Sequence, residues 1–202
     1  MKLGIIGAMD VEVATLKEKM ENASVVVKAG MEFYEGTLEG LPAVVVKCGI
    51  GKVNAAMCAQ ILCGNFEVTH LVNTGIAGSL LAALDIGDLV ISQDAIHHDF
   101  DLRFWGRPVG QVPDMGVTAF PADEEMIHLA FAAAEAVNPG HTKVGRVASG
   151  DQFICSKEQK ERIIADTQGI CAEMDYPTFE AIAAQRCAQV TMNLAKQLCK
   201  TE

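Results

Sequence analysis

Two carboxylates stand at the start of the first predicted helix, in the segment GIIGAMDVEVATL (residues 4–16). Asp10 and Glu12 follow a short apolar run that closes in glycine, so they lie where a strand passes into a helix. Acids in the first turn of a helix complement its dipole, and that interpretation requires no chemistry. The alternative is a carboxylate that orients and deprotonates a water molecule. The sequence alone leaves both interpretations open.

A second group of candidate residues follows two later predicted strands. Glu173 and Asp175 flank Met174 in CAEMD, either as solvated acids at a strand edge or as acceptors for sugar hydroxyls. Phe153, in SGDQFI, is either a core residue or a platform on which a planar base stacks. Asp151 in the same segment is expected to order the glycine loop.

Three other patterns carry weaker signals. GIGKVN (residues 49–54) matches a dinucleotide-binding fingerprint only in part, because its sixth position is Asn54, and an ordinary strand-to-helix turn explains it equally well. His97 and His98 are expected to be partly exposed loop histidines rather than proton shuttles. The seven cysteines are odd in number and include no C-x-x-C pair, which predicts reduced thiols and no metal site.

Composition restricts the class of protein. The chain has 202 residues, half of them hydrophobic, and a formal net charge of -10. Without a cluster of Lys and Arg, nucleic acid is not an expected partner, and a small molecule or another protein is. The sequence contains no signal-peptide pattern and no run near the roughly 20 apolar residues of a membrane span, so we expect a cytoplasmic protein away from membranes.

The elements that must position the candidate residues alternate between strands and helices. The pattern predicts strands over 2–7, 24–28, 32–38, 42–47, 70–75, 87–92, 142–148 and 170–174, and helices over 10–20, 52–63, 123–137, 157–166 and 178–199. This alternation predicts an α/β domain whose mixed sheet is covered on both faces. Ligands of such sheets sit beyond the carboxyl ends of the strands, which is where the candidate loops fall. No linker is evident, so residues 1–202 are expected to form a single domain.

Six segments occur in the order found in one family. GIIGAMDVEV, GIGKVNAA, NTGIAGSL, HHDFD with FWGRPVGQVP, ASGDQFI and AEMD resemble motifs of the methylthioadenosine/S-adenosylhomocysteine nucleosidases, which belong to the nucleoside phosphorylase superfamily. The resemblance extends to Asp175. It implies a three-layer α/β/α sandwich around a twisted mixed central sheet. It also implies hydrolysis of the N-glycosidic bond of 5′-methylthioadenosine and S-adenosylhomocysteine to adenine and a 5-thioribose, with no cofactor and no metal.

The same resemblance implies a role for each matching residue. Glu12 would be catalytic and would activate the attacking water. Phe153 would stack on adenine, the Ile154 backbone would read the base edge, and Met174 and Asp175 would lie against the ribose. The implied substrate-binding residues are Met9, Ile50, Ala77, Leu102, Trp105, Pro113, Phe153, Ile154, Glu173, Met174, Asp175 and Tyr176.

Two positions depart from the usual family residues, and one loop implies a partner. Relatives usually have Glu where this chain has Asp175, which is one methylene shorter, and a small hydroxylated residue where it has Ile76. Relatives are homodimers in which the neighbour closes the thio pocket, and Val112–Pro113 matches the partner loop. A homodimer is therefore expected.

The carboxylate at position 12 also bears on an alternative function. A phosphorylase of this fold must bind phosphate near the sugar, and a carboxylate there would repel that anion. No cluster of Arg lies near Gly7 to bind phosphate. The sequence therefore favours water over phosphate as the nucleophile, with a phosphate-dependent phosphorylase as the alternative.

The resemblance breaks off where the family has a second catalytic acid. In relatives an SD-x-A-D segment follows the ribose-binding acid and protonates the leaving purine, whereas here Asp175 is followed directly by Tyr176 and the final helix. The missing piece is roughly thirty residues, about one β–α unit. Either the sequence omits a stretch of the real polypeptide or the deletion is genuine. The first is favoured, because losing a central strand would leave unpaired backbone and a void. A genuine deletion would leave a catalytically impaired nucleoside-binding module.

Overall fold

The computed structural model describes residues 1–173 and 180–201, and the chain divides into two compact units. The first unit comprises Met1–Ile76 and Glu180–Glu202, and the second comprises Ala77–Phe179. Each unit contains a five-stranded sheet with both parallel and antiparallel pairs. The mixed α/β character predicted from the sequence is therefore confirmed.

The predicted strands and helices occur in the predicted order, together with two short strands, at Gly78–Ser79 and Ala119–Pro121, that were not predicted. In chain order they are β1 (Leu3–Gly7), α1 (Asp10–Lys19), β2 (Glu21–Lys28), β3 (Met31–Leu38), β4 (Leu41–Lys47), α2 (Lys52–Phe66), β5 (His70–Asn73), β6 (Gly78–Ser79), β7 (Leu89–His97), β8 (Ala119–Pro121), α3 (Glu124–Val137), β9 (Thr142–Ser149), α4 (Lys157–Thr167), β10 (Cys171–Ala172) and α5 (Glu180–Thr201). None of the helices in the described ranges combines the length and apolarity that crossing a membrane requires.

In the first unit the sheet has the order β2-β3-β4-β1-β5, with β1 parallel to both of its neighbours. All five residues of β1 are buried, as expected for a parallel strand covered on both faces. The helix α2 packs on one face through a core cluster, and α1 covers the other, where Val13 lies against Gly7. The cluster comprises Ile6, Met31, Phe33, Val44, Val46, Cys48, Cys58, Leu62 and Phe66.

The parallel pairing of β1 with β5 brings two loops of the first unit together. Register places Ile6 opposite Asn73, so both strands end at the same edge of the sheet. Beyond that edge the Thr74 N–H donates to the Ile6 carbonyl at 2.9 Å. The loop that follows β1 and the loop that follows β5 therefore begin side by side, although 64 residues separate Glu12 from Ile76.

In the second unit the sheet has the order β6-β10-β9-β7-β8, built on the long parallel pair β7 and β9. Arg146 of β9 forms two bonds to the Asp94 carboxylate of β7, at 2.6 and 2.8 Å, and a third to the Thr167 carbonyl at 2.9 Å. The helix α4 packs through Ile163 on a core with Leu80, Ala148, Ile154 and Ala172. This core fixes the start of the loop that follows β9.

Several predicted boundaries differ from the observed ones, among them those of α2, β7 and β10. The helix predicted to stop before Gly64 runs on to Phe66, because the buried Phe66 ring outweighs the cost of about 1 kcal/mol for one helical glycine. The strand predicted over 87–92 starts at Leu89 and extends to His97, where pairing with β9 continues through a less apolar stretch. The strand predicted over 170–174 forms ladder pairs only at Cys171–Ala172.

Candidate active site

The Glu12 carboxylate is buried and held by backbone N–H groups from two loops. Its Oε2 atom accepts from Ala8 N at 2.7 Å and from Met9 N at 2.9 Å, and its Oε1 atom accepts from Ile76 N at 3.0 Å. Only 3 % of the residue is exposed. These bonds to an anion are of the strong, charge-assisted kind. They fix the orientation of the carboxylate with respect to both loops.

This arrangement leaves the carboxylate able to act on a further hydrogen-bond donor. An ionised carboxylate offers about four acceptor positions. The N–H donors in the described ranges fill three of them, two on Oε2 and one on Oε1. The remaining position on Oε1 of Glu12 is suited to accept the O–H of a water molecule. A fixed, desolvated carboxylate of this kind can serve as a general base.

A glycine allows the second loop to approach the carboxylate. A Cβ atom at Gly75 would lie 2.6 Å from Glu12 Oε1, closer than real Cβ contacts allow. Only a residue without a side chain lets the peptide between residues 75 and 76 reach Glu12. Close approach to the carboxylate therefore explains Gly75, the first glycine in NTGIAGSL. The sequence alone did not reveal this contact.

Asp10, the neighbouring acid of the same helix turn, has a different environment. Three-quarters of its side chain is exposed, and its Oδ2 atom lies 2.8 Å from Lys47 Nζ. That hydrogen bond is the main cause of a lowered pKa for Asp10. Asp10 therefore fits the interpretation of a solvated first-turn acid. Glu12 also accepts from an N–H at the helix N-terminus, that of Met9, but its carboxylate is buried and fixed.

The helix α5 contributes two contacts that sequence reasoning missed. Cys187 Sγ donates to the Gly75 carbonyl at 3.2 Å, and Thr191 Oγ1 lies 3.4 Å from Thr74 Oγ1. Both contacts are made to the loop that supplies the Ile76 N–H. No sequence signal could have found them, since Cys187 lies 112 residues beyond its partner.

In the second unit the loop after β9 carries two adjacent apolar residues, one exposed and one buried. Phe153 is 44 % exposed, while Ile154 is 1 % exposed and belongs to the core against α4. The Asp151 N–H donates to Asp99 Oδ2 at 2.8 Å, and Gln159 Nε2 donates to the Phe153 carbonyl at 3.4 Å. The ring is thus held out on a fixed loop.

The remaining predicted residues of the second unit lie in more open surroundings. Trp105 ends a 3₁₀ turn over Arg103–Trp105 and is 70 % exposed, and Leu102, which precedes that turn, is half-buried. The Arg103 guanidinium holds the pKa of Asp101 at about 2. Pro113 is half-buried. The Glu173 N–H donates to the Ala148 carbonyl at 3.2 Å, which extends the end of β10 along β9.

Some predicted residues are brought together and others are not. In the first unit Glu12, Met9 and Ile76 meet through hydrogen bonds, whereas Ile50 is exposed at the start of α2. In the second unit Ala77 is exposed. The residues expected at the ribose and thio group, Met174, Asp175 and Tyr176, lie outside the described residues.

One expectation about the histidines is wrong. His98 was expected to be partly exposed, but only 5 % of it is. Its ring lies directly over Gly150, where a Cβ atom would come within 2.3 Å of Nε2. The ring therefore packs on the glycine of the loop that carries Phe153, which short-range pattern cannot predict. His97 is half-buried, as expected, but it is the last residue of β7 rather than part of a loop.

Comparison with known proteins covers nearly the whole chain. A profile of the phosphorylase superfamily matches residues 2–193. A 5′-methylthioadenosine/S-adenosylhomocysteine nucleosidase of Geobacillus thermodenitrificans is 42% identical over 190 residues, which is 94% of this chain and 78% of the relative.

Solved structures give the same result for the fold. A 5′-methylthioadenosine/S-adenosylhomocysteine nucleosidase of Colwellia psychrerythraea in complex with adenine superposes with a TM-score of 0.92 at 32% identity, over 98% of this chain and 96% of that one. The Neisseria meningitidis nucleosidase in complex with methylthio-immucillin-A has a TM-score of 0.91 at 30% identity, over 97% and 99% of the two chains.

Proposed function

Because this chain belongs to the phosphorylase superfamily and, within it, to the 5′-methylthioadenosine/S-adenosylhomocysteine nucleosidases, we propose that Glu12 activates the water in its reaction. The protein is an N-glycosidic hydrolase of the nucleoside phosphorylase fold. It cleaves 5′-methylthioadenosine and S-adenosylhomocysteine and releases adenine and a 5-thioribose. The observation that supports the role of Glu12 is its buried carboxylate with three N–H donors.

The chemistry of the reaction requires a group of this kind. As the purine leaves, positive charge builds on the sugar, as in other glycoside hydrolyses. A carboxylate near that charge stabilises it and takes a proton from the attacking water. The bonds from Ala8, Met9 and Ile76 support this role for Glu12, because they fix the orientation of its carboxylate. The same negative charge would repel phosphate, which disfavours phosphorolysis.

The remaining roles follow the resemblance. We propose that Phe153 stacks on adenine and that the backbone of Ile154 reads the base edge, which the exposed ring on a fixed loop supports. Met174 and Asp175 bind the ribose. Further contacts to substrate are proposed for Met9, Ile50, Ala77, Leu102, Trp105, Pro113, Glu173 and Tyr176.

The proposal also covers the ligand, the oligomeric state and the cellular location of the protein. It binds a small molecule, as its relatives in complex with adenine and inhibitors do. We propose that residues 1–202 serve as one nucleosidase domain, that the protein is a cytoplasmic homodimer, and that neither nucleic acid nor a membrane is its partner. The net charge of -10 supports the exclusion of nucleic acid.

The second catalytic acid decides between a full enzyme and an impaired one. The expected acid segment would fall between Asp175 and Tyr176, and no described residue is assigned its role. Intact mass spectrometry of the natural protein tests the point. A mass near 21.6 kDa supports a genuine deletion and an impaired binding module. A mass larger by roughly 3 kDa, one β–α unit, supports an omitted segment.

The activity itself is tested by adenine release in phosphate-free buffer. Purified protein incubated with 5′-methylthioadenosine is expected to release adenine at a rate that added phosphate does not change. A strict requirement for phosphate, with formation of a sugar 1-phosphate, would establish the phosphorylase instead. Binding of adenine in a calorimeter without turnover would establish the impaired module.

A further inference from the structure

One peptide group of the first unit is held at both of its ends. Its carbonyl, from Gly75, accepts from Cys187 Sγ at 3.2 Å. Its N–H, from Ile76, donates to Glu12 Oε1 at 3.0 Å. Because the two atoms belong to the same rigid plane, the thiol and the carboxylate together fix its rotation. A donor at the carbonyl also polarises the group and strengthens the N–H as a donor.

The thiol is in the protonated form that this geometry needs. Burial, with a smaller contribution from the Glu12 carboxylate, raises the pKa of Cys187 to about 11. At neutral pH the sulfur therefore carries its hydrogen and donates it to the Gly75 carbonyl. A thiolate at this position would instead repel both the carbonyl oxygen and the carboxylate.

A second residue of α5 braces the same loop. Thr191 is buried, and its hydroxyl donates to the Cys187 carbonyl at 2.9 Å and lies 3.4 Å from Thr74 Oγ1. Thr74 is tied in turn to the end of β1, through its N–H and the Ile6 carbonyl. The helix α5 therefore contacts the loop at two successive residues, directly before the N–H that binds Glu12.

We propose that Cys187 is a positioning residue for the reaction: by donating to the Gly75 carbonyl it holds the Ile76 N–H against Glu12 and so fixes the oxygen that accepts from water. The inference rests on the proposed role of Glu12 and extends it to the final helix. It predicts that the hydrogen of the thiol matters, rather than its size. Serine keeps a donor at this position, whereas alanine removes it.

The kinetic test compares three single variants of α5. Cys187→Ala is expected to lower kcat about 2- to 10-fold with KM unchanged, the range for one hydrogen bond. Cys187→Ser is expected to recover at least half of the lost rate. Cys199→Ala, the same change at an exposed cysteine of the same helix, is the matched control and should leave kcat unchanged. Equal losses in Cys187→Ala and Cys187→Ser, or in Cys199→Ala, would overturn the inference.

A second readout does not depend on turnover. In ¹⁵N-labelled protein the Ile76 amide proton is expected to resonate downfield, because it binds a carboxylate, and Glu12→Gln should move it upfield. Cys187→Ala should move the same signal part of that way, and Cys187→Ser should restore it. An Ile76 signal unmoved by Cys187→Ala contradicts the inference even if activity falls. A signal that moves as expected in a protein that releases no adenine supports the positioning contact and contradicts the proposed function alone.

Discussion

The turn from Ala8 into the start of α1 at Glu12 and the loop over Gly150–Ile154 both follow a strand, yet they present their key side chains in opposite ways. The first encloses its carboxylate, which is 3 % exposed and accepts three N–H bonds. The second holds its ring outward, with 44 % of Phe153 exposed, on a backbone that Asp99 and Gln159 fix.

The difference fits the role that we propose for each segment. A general base must be oriented before substrate arrives, because disorder in its position raises the barrier of the chemical step. A stacking ring needs a free face that the ligand itself will cover. We therefore expect changes at the first loop to lower the rate and changes at the second loop to weaken binding.

The largest expected effect is at the enclosed carboxylate. Glu12→Gln removes the negative charge and should lower kcat by about 10²- to 10⁴-fold, the contribution of a general base. The amide of Gln also places an N–H₂ group against one of the three N–H donors, which should cost about 1–3 kcal/mol of stability in urea unfolding. A variant that keeps a kcat within tenfold of the parent would remove Glu12 from the mechanism.

The next largest effect is expected at Gly75, in the loop after β5 that approaches the Glu12 carboxylate. Gly75→Ala places a methyl 2.6 Å from Glu12 Oε1, so the carboxylate must move. A displacement of about 1 Å should lower kcat by about 10²-fold. Gly64→Ala is the control, since its Cβ meets only Gln60 at 3.7 Å inside the helix α2 and should raise stability by about 0.5–1 kcal/mol. A Gly75→Ala enzyme with unchanged kcat would contradict the prediction.

A smaller effect is expected at the exposed ring, and it should fall on affinity. Phe153→Ala loses the stacked face and should weaken adenine binding about 2- to 12-fold, the equivalent of about 0.5–1.5 kcal/mol. Phe131→Ala, at a partly exposed ring on α3, serves as the comparison and should bind adenine as the parent does. Calorimetric titration with adenine measures both. Equal affinities for the parent and Phe153→Ala would exclude the ring as the adenine platform.

The smallest effect is expected at the exposed acid of the same helix turn. Asp10→Asn removes the ion pair with Lys47, a surface pair, and should change neither kcat nor the midpoint of unfolding at pH 7. Because folding lowers the pKa of Asp10 below its ordinary value of 3.8, any stabilisation is present above that pH and disappears as the pH falls further. Loss of activity in Asp10→Asn would remove the distinction between the two acids.

The local sequence pattern predicted the ends of strands well where the residues of one strand are enough to define it. β1 and β4 were predicted within one residue of their observed ends, because apolar, β-branched runs closed by turn residues leave few alternatives. Pattern placed a strand over 170–174 but did not limit it to Cys171–Ala172, the residues that pair with β9 and β6, and it failed at His98, which packs on a glycine 52 positions away. These outcomes depend on neighbours far along the chain.

By itself the sequence determined that a carboxylate stands where the first strand passes into the first helix, and that glycines follow β4 and β5. Both are local consequences of residue type and spacing. Only the tertiary structure decided which of the two acids is enclosed. The physical reason is that β5 lies beside β1 and α5 packs nearby. The third donor to Glu12 therefore comes from Ile76, and the support of that peptide comes from Cys187, by contacts that no short-range period encodes.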